Sequence, residues 1–155
     1  ITKCKNNMKK ISVLFVCALV LSTFLSSCSS DDDSPSTSSS EIEGKWNYNK
    51  LSFSQNGVST PEVNHPENET GCTKDFVEFK AGGILNVGDY TTGCDFSQYP
   101  GTWTKTGNNL TATAPTLGMS ETFEIVSVTA TELKLRVTKT ESGITITVNE
   151  SFTKG

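Results

Sequence analysis

The stretch ELKLRVTKTESGITITVNESF, residues 132–152, decides the fold. Leu133, Leu135 and Val137 alternate with Lys134 and Arg136; after Glu141-Ser142-Gly143, Ile144, Ile146 and Val148 alternate with Thr145, Thr147 and Asn149. A period of two marks extended chain whose successive side chains point to opposite faces, one into a core and one into water. The short, glycine-containing link between the two runs allows only a tight reversal, so the strands pair antiparallel as a hairpin.

The same pattern extends upstream. From Glu43 onward, β-branched and aromatic runs alternate with Gly/Asn/Ser/Pro clusters, and no window carries an apolar period of 3.6. Strands are expected at 46–53, 75–80, 84–90, 101–105, 110–114, 121–128, 132–140 and 144–152, eight in all. In the first of these, Trp46 and Tyr48 share one parity and Leu51 and Phe53 the other, which calls for a bulge or a bend between them. Residues 59–74 form the longest segment without a strand pattern and leave room for a hidden strand. Short links at 81–83, 106–109 and 141–143 make sequential neighbours pair antiparallel. An all-β, eight-stranded antiparallel up-and-down barrel follows, closed so that no edge is left unpaired. A two-sheet sandwich is the rival, but its Greek-key crossovers need longer connections.

The N-terminal region has a different character. Met8-Lys9-Lys10 precedes a mostly apolar run, Ile11 to Leu25, that is shorter than the roughly 20 residues needed to span a bilayer. Residues 1–27 are therefore expected to be a signal peptide, with 1–7 upstream sequence read as coding. Leu25-Ser26-Ser27-Cys28 resembles the lipobox of bacterial lipoproteins, which implies acylation of Cys28 and membrane attachment through its acyl chains. Residues 28–42, rich in Ser and Asp, read as a solvated tether ahead of a domain at 43–155. The run Asp31-Asp32-Asp33 resembles the export signal of Bacteroidota surface lipoproteins, which implies the outer face of the outer membrane. Residues 28–155 hold nine basic and 17 acidic residues, a net of −8. That balance argues against a nucleic-acid partner, which calls for a basic stripe.

Two motifs carry a more specific resemblance. Gly44-Lys45-Trp46 opens the first expected strand, and Gly101-Thr102-Trp103 repeats the pattern 57 residues later. With a cysteine ahead of Phe79-Lys80-Ala81-Gly82, the run from Glu43 to Lys154 resembles the lipocalin-like domain of Bacteroidota lipoproteins. The resemblance implies a calycin-type barrel with Trp46 at its closed end. An arginine stacked on that tryptophan is part of the lipocalin pattern; after the last strand this chain offers only Lys154.

The remaining residues bound the chemistry. Cys72 and Cys94 are an even pair in an exported chain and are expected to form a disulfide, worth about 3 kcal/mol by chain entropy, with free thiols as the alternative. His65, the single histidine, lies among turn formers and is expected on an exposed loop. Neither a zinc triad nor a Ser-His-Asp set is evident, so no cofactor, no metal and no catalysis are expected. The candidate lumen is lined by Phe79, Leu85, Val87, Leu110, Phe123, Ile125, Leu133, Leu135, Ile144 and Ile146. It would take a small hydrophobic ligand, the alternative being a solid barrel that serves as a structural or protein-interaction module.

Overall fold

A computed structural model describes residues 39–155; Cys28, the expected signal peptide and most of the expected tether lie outside that span. A single turn of helix, α1 (Ser39–Ile42), leads into β1 (Gly44–Gln55). The long strands β4 (Phe76–Lys80), β5 (Ile84–Tyr90), β6 (Phe96–Thr106), β7 (Asn109–Ala114), β8 (Met119–Val128), β9 (Glu132–Glu141) and β10 (Ile144–Lys154) follow. Each pairs antiparallel with the next, and β10 returns to pair with β1, so eight strands close into an up-and-down barrel.

The parity of β1 is resolved by a bulge. Register against β10 shifts between Tyr48 and Lys50, leaving Asn49 without a partner. Tyr48 then sits opposite Phe152 and Leu51 opposite Glu150, so both β1 residues face inward despite their odd separation. A second shift in β8, between Ile125 and Ser127, turns Val126 outward.

Residues 59–74 do contain strand. Because β4 pairs only with Gly44–Asn47, the rest of β1 needs another neighbour on that side. Two short strands supply it: β2 (Val58–Ser59) beside Ser54 and Gln55, and β3 (Val63–Asn64) beside Lys50 and Leu51. Asn68 completes the seam, donating from its amide to the Tyr48 carbonyl at 3.0 Å and accepting from the Asp75 N–H at 3.0 Å. β6 begins at Phe96, earlier than expected. Pro100 does not stop it, because β7 pairs only from Thr102 onward and the strand edge is free there.

One end of the barrel is plugged. Ile42 and Trp46 are fully buried, and the Trp46 indole donates to the Ile42 carbonyl at 2.6 Å. The Lys154 ammonium lies 4.0 Å from the centre of the Trp46 ring and donates to the Glu43 carbonyl at 2.8 Å, so lysine fills the stacking place where an arginine was sought. Gly44 has φ +123°, and a Cβ there would fall 2.6 Å from Lys154 Nζ. Gly101 is fixed by a close approach: a Cβ would lie 2.1 Å from the Thr113 carbonyl oxygen. Trp103 packs edge-on against Phe79 at 5.4 Å and donates to the Lys80 carbonyl. Both Gly-x-Trp motifs thus pair a tight backbone contact with an inward indole. Among the described residues the main hydrophobic cluster runs from Ile42 to Phe152 and forms one continuous core.

Candidate functional site

The interior changes chemistry along the barrel axis. Toward the plugged base it is apolar: Trp46, Leu85, Leu110 and Leu133 are fully buried, and Phe79 and Phe152 nearly so. Of the residues expected to line a lumen, Phe79, Leu85, Val87, Leu110, Phe123, Ile125, Leu133 and Leu135 all belong to this buried cluster. Ile144 and Ile146 do not. They share the inward parity of Val148, but they sit at the tip of the β9–β10 hairpin, where β1 ends at Gln55 opposite Ile146. They are 43% and 40% exposed and form part of the rim, which corrects the expectation that they line the interior.

Above the apolar floor the interior holds ionisable groups. Glu150, opposite Leu51 on β1 and Leu135 on β9, is 8% exposed. Burial pushes its carboxyl up to about 7, with the charges of Glu67 and Glu121 acting in the same direction. Tyr48 lies between Phe152 and His65 in sequence of contact, with ring centroids 4.9 Å and 4.4 Å away. Burial raises its hydroxyl above the ordinary range, helped by Glu150, Glu67, Asp75 and Asp89.

Asp75, just before β4, is buried and receives the Tyr90 N–H at 2.7 Å. Burial lifts it to about 6 against that hydrogen bond, and Asp89 reinforces the lift by charge and by a shared hydrogen bond. Nearer the rim, Glu121 of β8 and Lys139 of β9 form an ion pair.

His65 is not an exposed loop residue. It is buried where β3 runs beside β1, its N–H donating to the Asn49 carbonyl at 2.9 Å and its Nδ1 accepting from the Glu67 N–H at 3.4 Å. Burial lowers its pKa to about 4, so the ring is neutral at physiological pH.

Cys72 and Cys94 are bonded to each other. The disulfide ties the segment between β1 and β4 to the β5–β6 loop, stapling two connections at the end away from the plug. Among the described residues, no group of three or more His, Cys, Asp or Glu is arranged to hold a metal ion, and no helix is long and apolar enough to cross a membrane.

Sequence reasoning passed over Glu150, Tyr48, Asp75 and His65. For Glu150 the signal was present: the alternation of Ile144, Ile146 and Val148, carried two residues further, puts Glu150 on the inward face with Phe152. For His65 and Asp75 burial comes from the seam along β1, which depends on the short reach of β4.

Comparison with known proteins agrees with this architecture. The family described as "Lipocalin-like domain" matches residues 42–135. Among solved structures, a lipocalin-like protein from Bacteroides uniformis ATCC 8492 superposes with a TM-score of 0.52 at 14% identity, covering 74% of this chain and 99% of that one. A protein from Bacteroides eggerthii DSM 20697 gives 0.50 at 11% identity, with coverage of 74% and 99%. Apocrustacyanin C1 gives 0.50 at 13%, covering 74% of this chain and 61% of that chain. Identities this low speak to the fold alone, and no curated protein matches. The family match spans more than half of the chain, from Ile42 at the plug into the first half of β9: this chain belongs to the lipocalin-like domain family.

Proposed function

We propose that this protein is a lipid-anchored binding protein of the cell envelope that holds a small hydrophobic molecule inside its barrel. The observation that carries the reading is the graded interior, an apolar floor closed by Ile42 and Trp46 beneath two ionisable side chains, the partly buried Tyr48 and the buried Glu150. A barrel filled only for stability gains nothing from a buried carboxyl, whereas a binding cavity combines an apolar lining with a few oriented polar groups. Membership of a family whose fold commonly encloses small hydrophobic ligands supports the same reading. Native mass spectrometry of the protein taken from its own envelope is expected to show a defined added mass that extracts into organic solvent. A clean apo mass that persists after incubation with fatty acids, sterol-like compounds and tetrapyrroles would remove this reading.

Anchoring is the second part of the proposal and rests on the Leu25-Ser26-Ser27-Cys28 tetrad, with Asp31-Asp32-Asp33 supporting display on the outer face of the outer membrane. Replacing Cys28 with alanine is expected to release the protein from the membrane fraction. A variant that still sediments with membranes would refute acylation at this cysteine.

One surface feature favours the protein-interaction alternative. On the outer face Phe76 fills the space above Gly88, where a Cβ would come within 2.1 Å of its ring, and stacks with Phe96 at 6.1 Å. Tyr90 packs on Phe96 at 4.9 Å, and the Phe96 side of this cluster stays 48% exposed.

A further inference from the structure

We propose that Glu150 anchors a basic nitrogen, so that the barrel selects small amphipathic organic cations whose apolar body points toward the Trp46 floor. The proposal deepens the ligand-binding reading above and rests on it.

Glu150 is more than nine-tenths buried, yet no hydrogen bond or ion pair is made by its carboxyl among the described residues. The groups that reach it electrostatically are Glu67 from the segment between β1 and β4, Glu121 of β8 and Tyr48 of β1, none of them positive. Lys139, which shares the inward parity of Leu135 and Val137 on β9, is already paired with Glu121. The partner strands place Leu135 and Leu51 directly opposite Glu150, so neither supplies a charge. His65 and Asp75 gather around Tyr48; the histidine is neutral and the aspartate adds to the negative potential.

A fully sealed polar side-chain atom in the described residues always has a hydrogen-bond partner. The Glu150 oxygens have none, so by the same rule they are not fully sealed and keep some accessible space beside them. That space faces an acidic surround and is unsuited to an anion. It also lacks the set of further ligands a metal ion needs. An organic ammonium fits: it pairs with one carboxylate, and Phe152, two residues along the same face of β10, and Tyr48, 4.9 Å from it, offer aromatic faces to its charge. The leucines and phenylalanines below take an alkyl or ring body.

The test uses residues 39–155, which hold the one continuous core, titrated with decyltrimethylammonium, 1-decanol and decyl sulfate while the fluorescence of Trp46 and Trp103 is followed. The fixed charge of the first probe excludes titration of the ligand itself. At pH 8 the cation is expected to bind at least about tenfold more tightly than the alcohol, and the sulfate most weakly. Glu150→Gln, which keeps the shape of the side chain and removes its charge, is expected to bring the cation and the alcohol to parity. In the wild type the advantage is expected to vanish by pH 5, where the carboxyl is protonated, giving a readout that needs no variant. If the alcohol binds as well as the cation at pH 8, or the advantage survives Glu150→Gln, the assignment to Glu150 is overturned while the lumen remains a binding site. If none of the three probes binds, the ligand-binding reading falls and this inference with it.

Discussion

Replacing Trp46 with alanine is expected to lower the unfolding free energy of the barrel by about 4 kcal/mol, within the usual range for deleting a buried indole. The ring is fully buried at the plugged end, its N–H satisfies the Ile42 carbonyl, and the Lys154 ammonium rests on its face. Alanine removes all three contacts and leaves a void that neither α1 nor the strand ends can collapse into, because Gly44 and Lys154 already approach closely there. Small domains are stable by roughly 5–15 kcal/mol, so this one change consumes a large part of the margin. Urea unfolding followed by far-ultraviolet circular dichroism measures it. Trp46→Phe should lose only about 1–2 kcal/mol, since the ring is kept and one hydrogen bond is lost. A loss below 1 kcal/mol for Trp46→Ala would mean that the plug is not what holds the base.

The second large effect has the opposite sign. Glu150→Gln is expected to stabilise the protein at pH 8 by about 3 kcal/mol and to leave it unchanged at pH 4. The folded-state carboxyl titrates at about 7 against an ordinary 4.5, so between those values the folded state binds more protons than the unfolded chain. Stability therefore falls as pH rises through this window and levels off above it. Asp75, raised to about 6, acts in the same sense at lower pH. His65 acts in the reverse sense: its pKa is lowered to about 4, so its contribution is present above the ordinary 6.5 and is lost as pH falls toward 4. Comparing variant and wild type at each pH cancels these two and isolates Glu150. Equal stabilities at pH 8 would show that the carboxyl is not held in a low-dielectric interior.

Much of the barrel was legible in local pattern. Period-two alternation located the long strands, short glycine links ordered them, and the clash of parity between Tyr48 and Leu51 called for a bulge or a bend, met by the bulge at Asn49. The even pair of cysteines left in the domain identified the disulfide. What escaped depends on neighbours. Pro100 looked like a strand boundary and is tolerated only because β7 starts its pairing at Thr102. Val58–Ser59 and Val63–Asn64 become strands only because β4 is too short to cover β1, and the same shortfall draws His65 inside. For Glu150 the alternation of β10 already pointed inward, and closure of that strand against β1 makes the inward face an enclosed one.

The chain enters the barrel and leaves it at the same place. Trp46 pairs with Lys154, and the Gly155 N–H donates to the Lys45 carbonyl at 2.9 Å, so both ends of the domain meet at the floor. The Cys72–Cys94 staple and the tip of the β9–β10 hairpin lie at the opposite end. Attachment through either terminus therefore grips the barrel by its base and presents the rim away from the support, like a cup held by its foot. A linker joining Gly155 back to Ser39 would have only a short distance to cross, which makes the rim loops available as new chain ends.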